Sequence, residues 1–77
     1  MKKEILKSIE FAKYDNGVKS VKNVLLVKVE DGTYETNIAY FYGGKIDETF
    51  SFSCEDYDKA VRLFKDAIAD GCIFMGV

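Results

Sequence analysis

The side chain most useful for chemistry is missing from this chain: none of its 77 residues is a histidine. That removes the usual general base near neutral pH, the Ser-His and Cys-His nucleophile pairs, and the commonest metal ligand. Two cysteines and thirteen carboxylates remain. Cys54 precedes Glu55 where a helix is expected to begin. Helix N-termini favour thiolates, but the adjacent carboxylates oppose that effect and no resolving cysteine is near in sequence. Cys72 reads as a small apolar residue. The acidic pairs Asp47-Glu48 and Asp56 with Asp58 would hold a divalent cation or exchange protons only by converging on a cleft. A solvated turn and an acidic first helical turn account for them more simply. Gly43-Gly44-Lys45 is too short to cradle a phosphate and joins two strand-like segments rather than a strand and a helix. These residues predict no enzyme, no cofactor, no metal and no identifiable small-molecule ligand.

Tyr34, Tyr40 and Tyr42 are spaced by even numbers of residues, so on one strand their rings share a side of the sheet. Covered by a helix they are core; uncovered they make an aromatic platform. With Asp47, Glu48, Asp56 and Asp58 they form the candidate partner surface.

The elements that must position these residues follow from two glycine turns, Asp31-Gly32 and Gly43-Gly44. They divide a small antiparallel β-meander into three strands, about 21–30, 33–42 and 46–53. A two-residue type I′ turn at Asp31-Gly32 would pair Val29 with Tyr34, Val27 with Thr36 and Leu25 with Ile38. That places Leu25, Val27 and Val29 on the face of Tyr34, Ile38, Tyr40, Tyr42, Ile46, Phe50 and Phe52, with Val24, Leu26, Ala39 and Phe41 behind. A three-residue loop, Gly43-Gly44-Lys45, with a bulge, pairs Tyr42 with Ile46, Tyr40 with Glu48, Ile38 with Phe50 and Thr36 with Phe52.

A C-terminal helix over about 54–70 is expected to pack on one face, capped at Ser53-Cys54-Glu55-Asp56 and ended at Gly71. Tyr57, Ala60, Val61, Phe64, Ala67 and Ile68 form its apolar stripe. The tail Cys72-Ile73-Phe74-Met75 is either an added edge strand or a segment tucked under the helix end. Residues 2–14 carry both periodicities. Ile5, Leu6, Ile9 and Ala12 make a helical stripe, which favours a helix, and Asp15-Asn16-Gly17 serves equally as a hairpin loop after a fourth strand. The fold class is α+β in one domain.

Seventy-seven residues give a thin core, because ordering costs about 1.5 kcal/mol per residue and each large buried side chain returns roughly 1.5–3 kcal/mol. Six Phe and five Tyr raise the area each residue can bury, and also suit a chain that hides a face against a partner. The net charge is −2. Residues 1–28 hold seven lysines against three carboxylates, and residues 29–77 hold four cations against ten. No apolar run approaches the roughly 18 residues of a membrane helix, and the cytoplasm is the default compartment.

With a helix at its N-terminus, the chain resembles double-stranded RNA-binding domains in the order of its elements only. In that family the second helix opens with a lysine-rich phosphate-binding motif. Here it opens Cys54-Glu55-Asp56-Tyr57-Asp58, which repels phosphate, so direct nucleic-acid binding is not expected. The same order with an acidic skew looks like some small phage inhibitors of CRISPR nucleases, which mimic nucleic acid. The sequence predicts a non-enzymatic protein-interaction module, with a homodimer as one form it would take. The alternative is a phage or mobile-element inhibitor whose acidic half, from Asp47 to Asp70, occupies a basic site on a nuclease or other nucleic-acid-binding protein.

Overall fold

Asn16 and Gly17 both adopt positive φ, 52° and 82°, the combination a two-residue type I′ loop requires. They fold Lys3–Asp15 (β1) back antiparallel onto Val18–Val29 (β2), with Asp15 opposite Val18. The computed structural model describes residues 2–74, with side chains through Asp70. The helix expected over residues 2–14 is therefore replaced by the fourth strand. A helix would have left Phe11 and Tyr14 off its stripe. As a strand, β1 sets Ile9 opposite Val24 and Phe11 opposite Lys22 and gives β2 a second neighbour. The order of elements is thus four strands and a helix, which removes the likeness in element order both to double-stranded RNA-binding domains and to the small phage inhibitors.

The remaining strands are Tyr34–Tyr42 (β3) and Lys45–Cys54 (β4), and the sheet runs β1-β2-β3-β4 as a plain antiparallel meander. The β2–β3 turn differs from the type I′ expectation. Only Gly32 has positive φ (91°); Asp31 does not. Gly32 N–H donates to the Val29 carbonyl and Val29 N–H to the Thr33 carbonyl, making a three-residue loop with Gly32 in the left-handed region. The Asp31 carboxylate accepts from both the Thr33 amide (2.9 Å) and the Thr33 hydroxyl (2.6 Å), which holds the aspartate in this geometry.

That extra loop residue slips the ladder by one: Leu26 lies opposite Thr36 and Val24 opposite Ile38. Since strand side chains alternate, the slip exchanges the two faces of β2. Val24 and Leu26, not Leu25, Val27 and Val29, share a face with Tyr34, Ile38 and Tyr40.

At the β3–β4 turn the expected pairs Tyr40–Glu48, Ile38–Phe50 and Thr36–Phe52 all form. The loop itself has two residues, Gly43 and Gly44, with φ of 60° and 82°, so Tyr42 pairs with Lys45. The bulge lies at Asp47 instead, between the Phe41–Ile46 and Tyr40–Glu48 pairs, and sends Ile46 to the opposite face from Phe50.

The helix Tyr57–Phe74 (α1) starts later than expected because Ser53 and Cys54 stay in the ladder opposite Glu35 and Tyr34. Asp56 is the cap, its carboxylate accepting from the Asp58 amide at 3.2 Å. The helix continues through Gly71 rather than ending there, since a helix interior tolerates glycine at a cost near ~1 kcal/mol. It likewise takes in residues 72–74 in place of an edge strand or tucked tail; Met75 lies outside the described residues.

The core lies between α1 and the middle of the sheet: Val24, Leu26, Ala60, Phe64 and Ala67, with Ile9, Ile38, Val61 and Ile68 packed around it. Of the expected helix stripe, Ala60, Val61, Phe64, Ala67 and Ile68 pack on the sheet, while Tyr57 stays 43% exposed. Two alanines let the helix backbone approach the sheet closely enough for side chains of the strands to bond its carbonyls. Thr36 Oγ1 donates to the Ala60 carbonyl at 3.2 Å and Lys22 Nζ to the Ala67 carbonyl at 3.1 Å, both from buried positions.

Among the described residues no helix covers the opposite face of the sheet, and polar side chains lace it. Lys3 pairs with Glu35 at 3.1 Å across β2, Asn37 donates to the same Glu35 oxygen, and Ser51 donates to Asn37 at 2.7 Å. Val27 and Val29 lie under this lattice, each only 3% exposed.

Candidate functional site

One helix is about 10–12 Å wide while strands repeat every ~4.8 Å, so α1 can shelter little more than two of the four strands. It lies over β2 and β3. The row Ile9, Val24, Ile38, Phe50 runs across the helix-side face from β1 to β4, and its outer member at β4 is left uncovered. Phe50 is 43% exposed and Phe52, in the next row, 45%. Between Phe52 and the helix runs a shallow groove of about 190 Å³, lined by Ile38, Phe52, Leu63, Asp66, Ala67 and Asp70. Its floor is apolar and two carboxylates stand on its helix wall. Two other hollows, one on the open face by Phe41 and Lys19 and one among charged residues at the Lys3 end, are also open to solvent.

The three tyrosines do share the helix-side face, but they do not act alike. Tyr34 packs on the core and meets Tyr57 edge-on at 5.3 Å. Tyr40 is half-buried, with Phe50 edge-on at 6.1 Å and Lys22 Nζ 5.3 Å from its ring centre, a cation–π arrangement. Tyr42 alone is well exposed, beyond the groove towards the Gly43-Gly44 turn. On the strands of this face the well-exposed rings are therefore Tyr42, Phe50 and Phe52, not the whole tyrosine row.

The carboxylates divide into two ends of β4. Asp47 sits at the bulge and Glu48 beside Tyr40, while Asp56 caps α1 and Asp58 lies in its first turn. They flank the aromatic strip without converging on a point. Among the described residues no group of three or more Cys, Asp or Glu side chains is placed to hold a metal ion. Cys54 is a free thiol, half-buried against the core.

Sequence reasoning passed over Lys22, Leu63, Asp66, Asp70 and the exposure of Phe50 and Phe52. The signal was present in residues 49–54, Thr-Phe-Ser-Phe-Ser-Cys: six uncharged residues alternating aromatic and small polar on what proves to be an edge strand. The charge asymmetry along the chain becomes a spatial one. The lysine-rich half forms β1 and β2, and the acidic half forms β3, β4 and α1. No helix among the described residues is long and apolar enough to cross a membrane. The chain matches no family model, and no curated protein or solved structure matches it either.

Proposed function

We propose that this protein is a non-enzymatic protein-interaction module whose docking surface is the band between α1 and the β4 edge. The observation that carries the reading is the exposure of Phe50 and Phe52 on the helix-side face, beside an apolar groove. Placing two half-exposed aromatic rings next to each other on a thin-cored domain forgoes burial that the fold needs, and a partner restores it. Replacing Phe50 and Phe52 together by Ser is expected to abolish capture of the binding partner by the tagged protein while leaving the far-ultraviolet circular dichroism unchanged. Retained capture by that variant would move the docking surface elsewhere.

A second reading, an acidic surface presented to a basic site on a nuclease or other nucleic-acid-binding protein, is favoured by Asp66 and Asp70 on the groove wall and by Asp47, Glu48, Asp56 and Asp58 at the ends of β4. It predicts a complex that weakens steeply with salt, because exposed charge pairs are screened over roughly a Debye length of 8–10 Å at physiological ionic strength. A salt-insensitive complex excludes it and leaves the apolar band as the contact.

A further inference from the structure

We infer that the free edge of β4 pairs antiparallel with β4 of a second copy, joining two sheets into one of eight strands; this rests on the interaction-module reading and names its first partner. The two edges of the sheet are not equivalent. β1 carries Lys3, Glu4, Lys7, Glu10 and Lys13 and is broken by a bulge between Ile5 and Lys7, the devices that keep an edge strand from being extended. β4 has charges and a bulge only at its Asp47-Glu48 end. From Thr49 to Cys54 it is uncharged, regularly paired to β3 on one side and, among the described residues, unpaired on the other. Its outward amides and carbonyls are therefore a template for another strand.

The same six residues are self-complementary. In an antiparallel pairing, opposite residues share a face, so Phe50 must meet an even-numbered neighbour from the helix-side set. Centring the two-fold axis on Ser51 sets Phe50 opposite the other copy's Phe52 and Phe52 opposite its Phe50, a cluster of four rings. On the open face it sets Ser51 opposite Ser51 and Thr49 opposite Ser53, all small and polar. Shifting the axis to Phe50 instead puts Phe52 against Glu48, and shifting it to Phe52 puts Phe50 against Cys54 and breaks the cluster. A two-fold axis here also closes the assembly at two copies, whereas β4 on the β1 edge of the next molecule would grow without limit.

The register sets Glu48 opposite the other copy's Cys54, and it has one like-charge approach, which makes it testable. Asp47 approaches the other copy's Glu55 at both ends of the paired strands, and such exposed like charges repel less as salt rises. Dimerisation should therefore tighten with ionic strength, the opposite of capture by a basic partner. Both helices lie on one side of the joined sheet, so the two bands merge into one trough floored by the four rings and walled by Asp66 and Asp70 of each copy. The docking surface of the module is then a property of the dimer.

Analytical ultracentrifugation of the full chain, at low and high salt, tests the association. A mass of two chains that strengthens with salt is expected, reduced at least roughly tenfold in affinity by Phe50→Asp or Phe52→Asp in a chain that keeps its circular dichroism. The register is tested in a Cys54→Ser, Cys72→Ser background. Ser51→Cys should form a covalent dimer on mild oxidation, since directly opposed residues have Cα atoms about 4.5–5.5 Å apart, within disulfide range. Thr49→Cys should not, because the two Thr49 positions would be four residues, about 13 Å, out of step. A monomer at all concentrations, higher oligomers, or a dimer that Ser51→Cys fails to cross-link overturns the inference. A monomer that still captures another protein through Phe50 and Phe52 overturns it while leaving the interaction-module reading standing.

Discussion

Lys22 donates its ammonium proton to the backbone carbonyl of Ala67 across 3.1 Å while only 1% exposed. A strand side chain thereby ties the sheet to the later half of α1. A helix carbonyl and the Tyr40 ring are weaker compensation for a buried ammonium than a carboxylate would be. Lys22→Met, which keeps the stem and removes the charge, is expected to change stability by less than about 1.5 kcal/mol. Lys22→Glu, which sets a buried carboxylate against a carbonyl oxygen, is expected to cost about 3–5 kcal/mol. Urea denaturation followed by circular dichroism measures both; equal losses would show that the ammonium has no electrostatic part in the docking of α1.

Ala60 and Ala67 set the closeness of helix to sheet, since Thr36 and Lys22 reach their carbonyls only across this short gap. Ala60→Leu should lift the helix and cost about 1–3 kcal/mol by overpacking, with loss of the Thr36 bond as a second effect. A Leu at 60 that leaves the denaturation midpoint unchanged would mean the interface has room that the zero exposure of Ala60 does not suggest.

The Asp31 carboxyl is held below the ordinary range, first by the Thr33 hydroxyl and then by the Thr33 amide. A carboxyl whose folded value is depressed contributes stability above its unfolded pKa, and the contribution is lost as pH falls through the folded one. Thr33→Ala removes the larger cause and should move Asp31 back up towards the ordinary carboxylate value in a titration followed by nuclear magnetic resonance. An unchanged titration midpoint would show that the amide alone sustains the shift.

Gly32 takes φ of 91° with nothing within 4 Å of where a Cβ would be, so a substitution there meets backbone strain and no clash. Gly32→Ala is expected to cost about 1–2 kcal/mol and Gly32→Asn less, because Asn tolerates the left-handed region. Thermal or urea denaturation ranks the two; Ala equal to Gly would mean that the loop relaxes to another turn, with a new β2–β3 register.

That register separates what was legible in the residues from what was not. Turn glycines, the alternation in β3 and β4, and the Ala60, Phe64, Ala67 stripe depend on neighbours close in sequence, and they marked the meander, the helix and the β3–β4 pairing. Even where the loop length was misjudged, at Gly43-Gly44, the match of Ile38 with Phe50 and Thr36 with Phe52 held the ladder in place. The same local reasoning favoured a helix over residues 2–14, where the chain forms β1, because both helical and strand periods fit Ile5 to Ala12. Only the availability of β2 as a partner decided for the strand.

The sequence by itself determined the class of fold, the strands from residue 18 onward and the body of the helix, and the lack of histidine-based chemistry. Tertiary structure decided which face of β2 is core. With apolar residues on both sides of Val24-Leu25-Leu26-Val27, either face could be buried, and one extra residue in the Glu30-Asp31-Gly32 loop chose Val24 and Leu26. It decided too that a single helix shelters only the middle of a four-stranded sheet. Phe50 and Phe52, residues any pattern would assign to the core, are consequently left at an open edge, because coverage depends on the width of the sheet and not on the side chains of β4.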